Sequence, residues 1–142
     1  MRFVWSEEFL SCREPGHPES PERVSAIVSF LQKKEAGRFV EPRPCTEEEL
    51  LLAHSPEMVR AVRENTFFDP DTPNIDSAYE RAALACGAGL VAAETCLDGE
   101  PSFALGRPPG HHAGRHRPAG FCYFNTMAVA VRKLRRSGKR VA

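Results

Sequence analysis

The last third of the chain constrains the fold most. Phe103-Ala104-Leu105 is a short apolar run behind Asp98-Gly99, the pattern of a buried strand spanning Ser102 to Leu105. A long polar loop runs from Gly106 to Gly120. Asn125 then predicts the cap of a helix whose apolar positions are Met127, Ala128, Val131 and Leu134, with a basic last turn and Gly138 as its stop. Lys139-Arg140-Val141-Ala142 reads as the start of another strand. Strand, loop, helix and strand form a βαβ unit, so the predicted class is α/β with a parallel sheet, its site built by loops at the carboxyl ends of the strands.

The upstream chain supplies further helices. Arg2 to Trp5 predicts a strand, and Pro15, Pro18 and Pro21 make the next stretch a loop. Ser20 as cap, Pro21 as first residue and Val24, Ile27, Val28 and Leu31 on one face predict a helix that Gly37 ends. Thr46 and Glu49 form a capping box before Leu50, and Ser55-Pro56-Glu57 opens a helix carrying Met58, Val59 and Val62. Phe67 to Asp76 is Pro- and Asp-rich loop. Ser77 and Glu80 predict a second capping box, starting a helix that reaches about Leu97. Its small residues (Ala82, Ala83, Ala85, Gly87, Ala88, Gly89) suit close packing on more than one side.

Composition excludes several classes. The 142 residues suit one domain, and 42% hydrophobic with 27% charged residues is ordinary globular usage. No apolar run is long enough for a membrane span or a secretory leader, which leads to an expected cytoplasmic location and no membrane partner. Five scattered cysteines without a C-x-x-C pair predict free thiols and no cysteine zinc site. The zero net charge is unevenly held: residues 1–100 carry 19 acids and ten basic residues, whereas residues 101–142 carry nine basic residues and no acid. Arg132 to Arg140 is what the solvated face and last turn of a helix carry. Nucleic acid is therefore not an expected partner.

The chemistry is concentrated in Arg107-Pro108-Pro109-Gly110-His111-His112-Ala113-Gly114, followed by Gly120-Phe121-Cys122-Tyr123-Phe124-Asn125. Two adjacent imidazoles on a Pro- and Gly-stiffened loop can exchange protons with one reacting carbonyl near neutral pH. This pair of strings resembles the histone deacetylase family, including its bacterial acetylpolyamine amidohydrolase-like members. His17-Pro18-Glu19-Ser20-Pro21-Glu22-Arg23, Ala53-His54-Ser55-Pro56-Glu57 and Asp69-Pro70-Asp71-Thr72-Pro73 resemble further family segments in the same order. The resemblance runs from about Trp5 to Ala142 and implies the amino-terminal portion, residues 1–142, of a single domain with the three-layer arginase/deacetylase-type fold.

The resemblance implies a zinc-dependent deacetylase acting on acetyl-lysine or an acetylated amine or polyamine. By it, His111 stabilises charge and helps proton movement, and His112 is the general base. Gly120 offers its carbonyl to the substrate amide, and Phe121 walls the tube that holds the alkyl-amine chain. Asp71, or by another alignment Asp69, holds the substrate at the rim, and Arg23 lines an internal channel. His17 and His54 read as structural, His116 as solvent-exposed and Cys122 as a buried thiol. The zinc that the resemblance implies for the whole domain finds no ligands here, since the family's Asp-x-His and later Asp have no counterpart and no carboxylate follows Glu100. The 142 residues alone are thus expected to be inactive, and their unpaired sheet edge to promote self-association. The alternative function is a non-catalytic, deacetylase-like scaffold or interaction module.

Overall fold

The computed structural model describes residues 1–141. In chain order its elements are β1 (Arg2–Val4), a 3-10 turn (Glu7–Leu10), α1 (Pro21–Lys33), β2 (Arg38–Val40), α2 (Glu47–Leu50), α3 (Pro56–Arg63), α4 (Ala78–Leu97), β3 (Ser102–Ala104) and α5 (Thr126–Arg136). The three strands form a parallel sheet in the order β2-β1-β3, with Phe3 opposite both Phe39 and Phe103.

Alternation along β1 divides the sheet's two faces. Phe3 joins Val28 and Leu105, with Val24, Leu31 and Phe39 around them, so α1 covers one face. Val4 joins Phe9, Ala85, Ala88 and Ala92, so α4 covers the other. The opposite side of α4 buries Ala82, Ala83, Cys86 and Leu90 against Leu50, Met58, Val59, Val62, Phe124 and Val129. The long helix is buried on two sides, as its small residues predict. A Cβ at Gly87 would collide with the Arg43 carbonyl, and one at Gly89 with the Thr126 side chain.

Several local expectations hold and others change. Thr46 and Glu49 form the predicted capping box, and Ser55 and Asn125 accept from the Met58 and Ala128 amides. Ser77 does not cap α4. Its backbone is left-handed, with φ of 59°, and makes no side-chain cap bond, because capping requires an extended residue that aims its oxygen at the first turn. Ser20 likewise makes no cap bond, leaving Pro21 as the only working start signal. Gly37 is not the stop of α1; Glu35 takes the left-handed position with φ of 50°, and the Ala36 amide closes back on the Leu31 carbonyl. Gly37 is instead the residue that lets the Met1 carbonyl approach. Gly138 ends α5 as predicted, with φ of 76°.

Two strand expectations are corrected. β3 is an edge strand with Phe103 57% exposed, because among the described residues no strand pairs with its far side. Residues 139–141 are not strand, and Ala142 lies outside the described residues. β2 has no counterpart among the predicted elements, since three residues between Gly37 and Glu41 are too few to display a period.

Candidate active site

The loop from Gly106 to Gly120 leaves the carboxyl end of β3, and three distant segments pin it. At its start, the buried Arg107 donates through Nε to both carboxylate oxygens of Glu19, at 2.7 and 2.8 Å, and through its guanidinium to the Phe9 carbonyl at 2.7 Å. The Arg107 string is thereby joined to the His17-Pro18-Glu19 string.

At its middle, His54 does the holding. The Asn125 amide donates to His54 Nε2 at 2.9 Å, so the proton sits on Nδ1, which donates to the Gly114 carbonyl at 2.9 Å. The Ser55 amide bonds the Arg115 carbonyl and the Asn125 side chain bonds the Ala113 carbonyl, each at 2.9 Å. His54 is 1% exposed, and burial lowers its pKa, favouring the neutral ring these bonds require.

At its far end, the loop closes on itself and on the Asp69 to Pro73 segment. Ala119 and Cys122 pair by two backbone bonds, and the His112 amide donates to Cys122 Sγ at 3.4 Å. Gly120, with φ of 55°, packs against the His112 ring: a Cβ there would stand 3.0 Å from His112 Cδ2 and crowd the ring, and the left-handed backbone also favours glycine. The Phe121 amide donates to Thr72 Oγ1 at 3.0 Å, and the Tyr123 hydroxyl to the Pro73 carbonyl at 2.6 Å. Burial pushes the Tyr123 phenol up, which keeps it a donor.

These ties leave His111 and His112 exposed, their ring centroids 4.2 Å apart and their planes inclined by 52°. Gly120 lies beside the His112 ring, and the Phe121 ring packs against His17. Asp69 and Asp71 separate in role: the Asp69 carboxylate is taken by the Thr72 hydroxyl at 2.7 Å and the Asp71 amide at 3.3 Å, while the Asp71 side chain is exposed. Arg23 stands exposed on the first turn of α1, and the buried arginine of the loop is Arg107. His116 is exposed, and Cys122 is fully buried.

Sequence reasoning missed Arg107, Thr72 and the reach of His54. Arg107 carried one signal, a lone charge directly after an apolar strand. Thr72 carried none, because its partners lie 3 and 49 residues away. His54 read as satisfying local bonds, whereas its partners lie 60 and 71 residues away.

A parallel α/β sheet that presents a braced histidine pair at the carboxyl end of a strand defines the class of protein. Residues 17–142 match the family described as "Histone deacetylase domain", and the chain belongs to the histone deacetylase family. It is 37% identical to a "Probable deacetylase" of Methanothermobacter thermautotrophicus over 96% of this chain and 43% of that protein. A "Probable deacetylase" of Archaeoglobus fulgidus is also 37% identical, over 99% of this chain and 43% of its own length. The crystal structure of the HDA15 HD domain superposes with a TM-score of 0.86 at 31% identity, over 96% of this chain and 43% of that one. The chain thus spans less than half the length of these relatives.

Proposed function

We propose that this chain supplies the proton-moving loop and one wall of the substrate tube of a deacetylase that hydrolyses an acetylated amine. The observation that carries this reading is the braced pair: two exposed imidazoles 4.2 Å apart, on a loop held by Arg107, His54 and Cys122. His112 acts as general base toward the attacking water and returns the proton to the leaving amine, while His111 stabilises the charge that develops beside it. Gly120 offers its carbonyl to the substrate N–H, and Phe121 lines the tube. Asp71 holds the substrate at the rim, a reading favoured by its exposure when the Asp69 carboxylate is occupied by Thr72. Arg23 remains the candidate for the internal channel.

The described residues do not by themselves fit a zinc ion. No group of three or more His, Cys, Asp or Glu side chains among them stands together, and zinc takes at least three protein ligands. When bound to the whole domain, the metal would lower the pKa of water and polarise the carbonyl. The 142 residues alone are accordingly inactive in this reading, and the substrate is acetyl-lysine or an acetylated small amine. Incubation with zinc and an acetyl-lysine or acetylpolyamine substrate tests it. Turnover at the uncatalysed rate is expected, and robust hydrolysis abolished by His112→Ala would overturn the inactivity.

A further inference from the structure

Phe121 holds a conformation that its own chemistry disfavours. Its φ is 71°, a left-handed backbone that L side chains rarely adopt, and the residue is only partly buried. Something outside the residue must therefore hold both its backbone and its ring. Two residues do so, and neither belongs to the histidine loop.

Thr72 holds the backbone. It is 1% exposed and its hydroxyl donates to Asp69 Oδ2 at 2.7 Å, which turns an oxygen lone pair toward the Phe121 amide 3.0 Å away. His17 holds the ring, meeting it edge to face with centroids 4.5 Å apart and planes at 71°. His17 is itself fixed at both nitrogens: the Glu19 amide donates to Nδ1 at 3.1 Å, so Nε2 carries the proton and donates to the Asp71 carbonyl at 3.3 Å. Both holders are thus tied to the segment Asp69 to Asp71.

We propose that His17 and Thr72 are positioning residues that set the Phe121 wall from the rim, so that the segment carrying Asp71 and the wall of the tube move as one unit. The role of Phe121 as a wall rests on the function proposed above; the positioning does not. A rim that contacts the backbone of an incoming substrate would then also set the width available to its alkyl chain. Substrate selection at the rim and in the tube becomes a single property of residues 69–73 and His17, with the histidine pair left free to do proton chemistry.

Residue-resolved hydrogen exchange on the 142-residue protein tests this, with the Val129 amide inside α5 as the folding control. Thr72→Val keeps shape and removes both hydroxyl bonds. It is expected to speed exchange at the Phe121 amide about tenfold, the loss of one buried hydrogen bond, with Val129 unchanged. Thr72→Ser restores the acceptor and is expected to return Phe121 to within about threefold of the parent. His17→Ala is expected to move the Phe121 ring resonances toward those of free phenylalanine while its amide stays protected by Thr72. Unchanged Phe121 exchange in Thr72→Val, or a rise that Thr72→Ser does not reverse, overturns the positioning. Adding an acetyl-lysine peptide tests the wall separately: if it leaves the Phe121 ring resonances unmoved while the exchange results hold, the positioning stands and the tube reading fails.

Discussion

His54 Nδ1 donates to the Gly114 carbonyl at 2.9 Å, linking residues 60 positions apart. Together with the Asn125 amide on Nε2, this bond ties the histidine loop to the start of α5. His54→Ala leaves a carbonyl and an amide without partners in the interior, so a loss of about 2–3 kcal/mol is expected, read as a lower denaturation midpoint. The pH dependence has a definite sign. Burial holds the folded pKa of His54 below its ordinary value of 6.5, so the unfolded chain takes up the proton first. This contribution is present above about pH 6.5 and is lost as pH falls through the folded value. His54→Ala should lack that part of the pH profile.

Glu49 makes the second prediction. Its buried carboxylate accepts from both Arg43 guanidinium nitrogens at 2.8 Å, from Lys133 at 2.9 Å and from the Thr46 amide at 2.9 Å. The Arg43 hydrogen bond is the main cause of a pKa held well below the usual carboxylate range. Folded below unfolded means stability present above about pH 4.5 and lost in acid as the carboxylate protonates. Glu49→Gln is expected to flatten the acid limb of the stability curve and cost about 2 kcal/mol at pH 7, discounted because Arg43 and Lys133 are partly solvated.

Gly87→Ala should destabilise although alanine is the better helix former. Helix propensity favours alanine by about 1 kcal/mol, but the added methyl meets the Arg43 carbonyl, against which α4 is pressed. A net loss of about 1–2 kcal/mol in a denaturant titration is expected. A gain would mean that the segment carrying Arg43 stands away from α4.

Thiol reactivity should divide the cysteines. Cys45, Cys86 and Cys122 are buried, Cys12 is half-buried and Cys96 exposed. The neighbouring Cys86 and burial both push the Cys45 thiol far up, which keeps it protonated and unreactive. Native alkylation at neutral pH is expected to modify Cys96 first and Cys12 next, and unfolding to release the other three, counted by intact mass.

The edge of β3 should make the chain self-associate. Phe103 is 57% exposed there and Met127, at the start of α5, 65%, and an edge that pairs with no further strand among the described residues and has apolar flanks invites another strand. Light scattering is expected to show association that rises with concentration and falls in Phe103→Lys. A monomer at all concentrations would contradict it.

Local signals in the chain were sufficient for much of the architecture. The capping box at Thr46 and Glu49, the caps at Ser55 and Asn125, the Pro21 start and the Gly138 stop act within one turn, so residue type alone specifies them. The small-residue surface of α4 announced a helix buried twice. Where neighbours decided, local rules failed: Ser77 enters α4 with a left-handed backbone and does not cap, and Ser20, although extended, makes no cap bond. The three residues of β2 exist as a strand only because β1 lies beside them.

The sequence by itself determined which segments are the candidates for chemistry. The string around His111 and His112, the His17 and His54 strings and the Asp69 to Pro73 loop are legible because each needs specific side chains or rigid turns at fixed spacing. Only the tertiary structure decided how they cooperate: Arg107 joins the first to the second, His54 braces Gly114, and Thr72 with His17 sets Phe121. Most of those links end on a backbone carbonyl or amide, as at Phe9, Gly114, Asn125 and Phe121, while Arg107 with Glu19 and His17 with Phe121 meet through side chains far apart in the chain. A hydrogen bond to a main-chain atom far away in the chain leaves no mark in either segment's pattern, so it becomes visible only once the fold has brought donor and acceptor together.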